Sequence, residues 1–112
     1  MQNYASKSSI TSNVTNTNLL VGTGSANLIQ ISPVQPTLSI GMYFNIVLGY
    51  TNTLAAVSVK HVPLNLTYSL KRPSTSGLVD VPAGALVTGN IITVVFDGTY
   101  FQAMSGLPAI WE

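Results

Sequence analysis

Cysteine is absent from this 112-residue chain, which excludes a disulfide framework and any thiolate metal site. Charge is scarce as well: 6% of the residues are Asp, Glu, Lys or Arg, against about 25% in an ordinary soluble protein. The formal charges are Lys7, Lys60, Lys71, Arg72, Asp80, Asp97 and Glu112. With a net charge of +1 and Lys71-Arg72 as the one basic pair, there is no electrostatic footprint for nucleic acid. Long hydrophobic runs are missing too. The longest, Ile40 to Tyr50, is interrupted by Asn45 and falls far short of the roughly 20 apolar residues of a membrane helix, so membrane insertion is not expected. The opening MQNYASKSSITSN lacks the charged and apolar regions of a secretory signal, so no leader is expected either.

What remains is apolar residues and neutral polar ones. Hydrophobic residues make up 46% of the sequence, and Ser, Thr and Asn supply most of the polarity. A soluble monomer depends on charge, so this composition predicts a subunit whose surface is largely covered. The length suits one domain. Residues 1–24 form a Ser/Thr/Asn-rich stretch with too little apolar surface to order by itself. It reads either as a disordered leader or as an extended arm that adds to a neighbour's sheet edge through Ile10, Val14, Leu19 and Leu20. Gly22-Thr23-Gly24-Ser25 reads as the hinge at its end, and residues 25–112 as the single folded domain. Removing residues 1–22 is therefore expected to leave that domain folded but to weaken its attachment to a larger assembly, which the arm is expected to make.

Along the domain, short alternating runs are separated by turn residues. Leu28–Ile31 is a strand closed by Pro33 and Pro36. Met42, Phe44, Ile46 and Leu48 form one apolar row of the next strand. Thr51-Asn52-Thr53 is a turn cluster, followed by a strand over 55–59 and another over 64–70. Lys71 to Gly77 is read as a loop, with Pro73 to Gly77 as the exposed contact candidate; Leu78–Val81 is a short strand. Pro and Gly punctuation leaves no amphipathic helix. Seven or eight short strands predict an all-β domain, a compact antiparallel β-sandwich or small, jelly-roll-like β-barrel with an extended N-terminal arm.

The domain is organised around GNIITVVFDGTYFQAM, residues 89–104. Asp97-Gly98 suits a two-residue type I′ hairpin turn, which would place Phe96 opposite Thr99 and Val94 opposite Phe101. Ile92, Val94, Phe96, Phe101 and Ala103 then face the core. Ile91, Val95, Tyr100 and Met104 fall on the other face with Thr93 and Gln102, too apolar for bare solvent, so a cover is expected. Trp111, in the apolar tail after Ser105, is expected to pack on this domain or on a neighbour.

Candidate chemistry is thin. Asp97 serves the turn, Asp80 lies in a short strand, Glu112 is the last residue, and His61 beside Pro63 reads as a loop or edge histidine. A metal site wants at least three converging ligands, and the hydroxyls have no evident base. No enzyme activity and no cofactor are expected. Tyr43, Tyr50, Tyr68, Tyr100 and Trp111 could stack on sugar rings, but roles in core and interface account for them better.

The order of motifs carries a resemblance. Ser25-Ala26-Asn27-Leu28-Ile29-Gln30-Ile31, Leu38 through Phe44, Tyr50-Thr51-Asn52-Thr53, Leu86 through Ile91, and Val94 through Gln102 with its Phe96-Asp97-Gly98-Thr99-Tyr100-Phe101-Gln102 core resemble a β module recurrent in tailed-bacteriophage virion proteins. The module occurs in tail fibres, head fibres and decoration proteins, and the match spans roughly residues 25–104. Phe96 stands where Tyr is frequent and Ala103 where Leu is usual. The resemblance implies a non-enzymatic virion component, assembled in the host cytoplasm. It implies a homo-oligomer, commonly a trimer, attached to capsid, portal-collar or tail proteins. Binding of a host receptor or surface glycan is the alternative it allows.

Overall fold

The computed structural model describes residues 19–105, with the backbone alone at Ser105. These residues form an all-β fold of nine strands: β1 Leu19–Val21, β2 Thr23–Ser25, β3 Leu28–Ile31, β4 Tyr43–Val47, β5 Ser58–His61, β6 Leu66–Ser74, β7 Gly77–Asp80, β8 Ile91–Phe96 and β9 Phe101–Ser105. A single 3₁₀ turn, Val62–Leu64, joins β5 to β6.

The strands pair in the order β1-β4-β8-β9-β6-β5-β3-β2, with β7 added to β6. The two ends of this list, β1 and β2, are consecutive in the chain and separated only by Gly22. One segment, residues 19–25, therefore pairs with β4 on one side and with β3 on the other, and the sheet comes back on itself as a nearly closed barrel. Gly22 makes the corner. Its N–H donates to Val47 O at 2.8 Å, and a Cβ there would lie 3.0 Å from the Cγ2 atoms of both Ile29 and Ile46. A Cβ on Gly49 would come within 2.3 Å of Gly22 O, so glycine at 49 is required for the backbones to approach at this seam.

This nearly closed, barrel-like sheet agrees with the expected all-β small barrel or sandwich, and it corrects two readings. Leu19–Val21 and Thr23–Ser25 are strands of the sheet, with Gly22 the corner between them rather than part of a hinge, and residues 1–18 of the expected arm lie outside the described residues. Three of the eight ladders, β1–β4, β3–β5 and β6–β9, run parallel. Alternation along a strand reports which face is buried but not the direction of the neighbour, so the parallel pairs had no signature in the sequence.

The hairpin also differs from expectation in its turn. Phe96 pairs with Phe101 and Val95 with Gln102, so the loop is 97–100 rather than two residues. Among the described residues Asn65 is the one non-glycine with positive φ; Asp97 therefore does not take the conformation a type I′ turn demands. Its carboxylate closes a wider loop instead, with Oδ1 accepting from Thr99 N–H at 2.7 Å and Tyr100 N–H at 2.6 Å. The register moves by two residues, and side chains repeat every two, so the inward set is unchanged: Ile92, Val94, Phe96, Phe101 and Ala103 are all buried. They meet Phe44, Ile46, Leu70 and Leu86 in one core, with Tyr68, Phe96 and Phe101 in tilted contact at centroid distances of 4.8 Å and 5.3 Å.

Two polar residues are inside. His61 is fully buried rather than at a loop or edge: Nε2–H donates to Thr37 O at 3.0 Å, and Nδ1 accepts from Leu64 N–H at 3.4 Å. Asn52 is 1% exposed. Its Nδ2 donates to Leu54 O at 2.8 Å and Pro82 O at 3.1 Å, and its Oδ1 accepts from Leu86 N–H at 2.9 Å. The flanking threonines reach elsewhere. Thr51 Oγ1 accepts from Thr88 N–H at 3.0 Å, while Thr53 N–H and Leu54 N–H both donate to Asn27 Oδ1. The Thr51-Asn52-Thr53 cluster thus ties three separate segments together.

Candidate interaction surface

Side chains alternate along each strand, so the buried rows of β4, β8 and β9 leave a second set pointing out of the barrel. Register places these outward residues in rows. Val21 lies beside Val47, and Val47 beside Ile91; Leu19 lies beside Asn45, and Asn45 beside Thr93; Tyr43 lies beside Val95, and Val95 beside Gln102. Met104 occupies the bulge between Ala103 and Ser105. No outward position on these four strands carries a charge. Val21 is 66% exposed, Met104 52%, Tyr43 50%, Ile91 49% and Leu19 42%, while Val47 and Val95 are half-buried.

The polar members of the face are turned to one another or to the turn. Thr93 Oγ1 donates to Asn45 Oδ1 at 2.5 Å, and Gln102 Nε2 donates to Asp97 Oδ2 at 2.6 Å. That Gln102 bond, followed by the backbone donors of Tyr100 and Thr99, holds the Asp97 carboxyl below its ordinary range. At the margin of the face Lys71 Nζ donates to Asp80 Oδ1 at 2.7 Å and lies 5.5 Å from the Tyr100 ring centroid. The Asp80 bond is the main reason the Lys71 ammonium is held above its usual value.

Of the residues expected at an interface, Leu19, Ile91, Val95 and Met104 are brought together on this face. Leu20 is not: it points inward and packs against the core, because the strand 19–21 alternates like any other. Tyr100 is half-buried at the loop beside Lys71 rather than in the open face. Ile10, Val14 and Trp111 lie outside the described residues. Val21, Tyr43 and Val47 are additional members. Tyr43 and Val47 are readable from the odd positions of β4, but Val21 was hidden by reading 19–24 as arm.

Apolar exposure is not confined to this face. Val34 is 82% exposed, Ile40 76% and Leu54 57%, all in loops at the barrel ends. Lys71 to Gly77, read as a loop, is largely strand: β6 and β7 form a hairpin in which Pro73 lies opposite Leu78 and Ser74 opposite Gly77. Tyr43 and Tyr50 are half-exposed but stand at opposite ends of β4, so they form no common stacking platform; Tyr68 is engaged with Phe96 inside.

Among the described residues no three of His, Cys, Asp and Glu converge on a point that could hold a metal ion, and no helix is long and apolar enough to cross a membrane. The two described acidic groups are each committed: Asp80 to Lys71, Asp97 to its own turn and Gln102. No protein family and no curated protein matches this chain.

Proposed function

We propose that this chain is a non-enzymatic structural subunit of a bacteriophage virion, oligomeric and held on the particle by contacts on several sides of the barrel. The trimeric state and the location, as head decoration, head fibre or tail-fibre subunit among capsid, portal-collar or tail proteins, follow the resemblance of residues 25–104 to virion β modules. The observation that carries the reading is the distribution of exposed apolar side chains. They occupy the outer sheet face and both barrel ends, on a body whose described charges are only Lys60, Lys71, Arg72, Asp80 and Asp97. Burial of such surface against copies or a shell would drive assembly without electrostatic steering.

The test uses particles that lack the protein. A structural role predicts particles that assemble but lose integrity under heat or osmotic shock, with adsorption to cells intact. Stable particles with lost adsorption would replace this reading with receptor binding. Light scattering behind size exclusion gives the companion measurement on the purified chain: a monomer at high concentration counts against the oligomer. Deletion of residues 1–18 separates the arm from the barrel, and unchanged occupancy on the particle would remove the arm from the attachment.

A further inference from the structure

The outer face of β1, β4, β8 and β9 is continuous across four strands, and a polar pair sits at its centre. Strand order puts β4 and β8 in the middle, and register sets Asn45 beside Thr93 midway along both. The aliphatic row Val21, Val47 and Ile91 flanks that pair on one side, and Tyr43 and Val95 flank it on the other. Thr93 Oγ1 donates to Asn45 Oδ1, so the pair is partly satisfied without water. Asn45 keeps its Nδ2 donors, which have no acceptor among the described residues.

The area of the face says what size of partner fits it. Its most exposed members, Val21, Met104, Tyr43, Ile91 and Leu19, are between 42% and 66% accessible. At about 200 Å² for a large residue they offer roughly 500 Å², and the half-buried residues between them bring the face to roughly 600 Å². Two such faces pressed together remove about 1,200 Å² from water, the lower end of the range for specific, stable contacts. Shared between two neighbours in a ring, the face would give each contact only half of that, so a single partner covers it.

The chemistry selects that partner. No outward position on the four strands is charged, so a copy of the same face can approach without like charges meeting. A two-fold contact demands this, because both sides present the same residues. A charged partner surface would instead lose its water here with nothing to pair against. We propose that this face is a two-fold contact between copies of the chain, with the Asn45–Thr93 pairs of both copies meeting at its centre. Each Asn45 Nδ2 then donates to the partner's Thr93 Oγ1, a hydroxyl with lone pairs to spare. The rim is polar, with Gln102 tied to Asp97 and Lys71 to Asp80, as suits the margin of a dry centre. The proposal rests on the oligomeric reading above and names its contact; any three-fold contact uses other surfaces and is doubled by this one.

Charge reversal tests the contact on the full-length chain. Light scattering behind size exclusion should give a mass that is an even multiple of the monomer's. Ile91→Lys and Ile91→Glu, at a half-exposed position, should each halve that mass, because both copies then bring the same charge to the contact. An equimolar mixture of the two variants should restore it. Ser69→Lys, at an exposed position on β6, should leave the mass unchanged. Ile91→Thr keeps a β-branched side chain and should raise the dissociation constant several-fold, which serves if the charged variants fail to fold. An odd multiple overturns the two-fold contact and leaves the oligomeric reading standing. So does an even multiple indifferent to these substitutions, and so does a mixture of folded variants that stays at half mass. A monomer at every concentration overturns both.

Discussion

At the scale of single residues, polar side chains hold this barrel's loops together. Asn52 satisfies three backbone groups that would otherwise be stranded in a buried site. Asn52→Ala removes all three bonds and should cost about 3 kcal/mol, visible as a lower urea midpoint with an unchanged slope. Gly98 has φ near 100°, and a Cβ there would lie 3.1 Å from Ile40 Cδ1. Gly98→Val should therefore destabilise by roughly 1–2 kcal/mol and lower Tm by several degrees; an unaltered melt would refute the turn. Asp97 adds a pH dependence. Its folded pKa lies below the unfolded one, so its contribution is complete above the ordinary carboxylate value near pH 4 and is lost as pH falls through the folded value. Asp97→Asn should remove that segment of the acid melting curve, measured by Tm against pH. None of these roles was legible in composition. The turn residues could be found, but a buried Asn in a Thr-rich cluster looks like a solvated loop until its partners, distant in sequence, are known.

At the scale of elements, the seam between residues 19–25 and strands β3 and β4 decides whether the sheet is closed. Gly49→Ala places a methyl against Gly22 O, where backbone rather than a side chain must yield. Amide exchange at Gly22 and Val47 should accelerate in this variant while the β8–β9 amides stay protected. Deleting residues 1–22 should likewise cost stability that deleting 1–18 does not, contrary to the expectation that the arm ends at a hinge. The inward faces of β4, β8 and β9 were readable because apolar alternation survives an even register shift. The seam was not, since Leu19 to Ser25 is too short and too rich in glycine to show a period. The parallel ladders were equally hidden, being set by which strands the closed sheet makes neighbours.

For the molecule as a whole, the balance of apolar and charged surface predicts how association responds to solvent. Contacts formed by burying Val34, Ile40 or Leu54 gain nothing from Coulomb attraction. Raising NaCl should leave the oligomeric mass unchanged, and sulfate should favour association. Dissociation by moderate NaCl, followed by light scattering, would show that the few charges dominate after all. The all-β class and the uncharged character of the surface were plain in the sequence, whereas the place of each exposed residue on the barrel required the register.

The ring order also has a consequence for synthesis. Residues 19–47 can form the seam early, but the gap between β6 and β8 is filled only by β9, which follows every other strand of the ring in the chain. A nascent chain therefore carries two unpaired strand edges until Phe101–Ser105 has emerged, and the ring completes only then. Nascent chains stalled before Phe101 should accordingly remain protease-sensitive along β8, however long they wait.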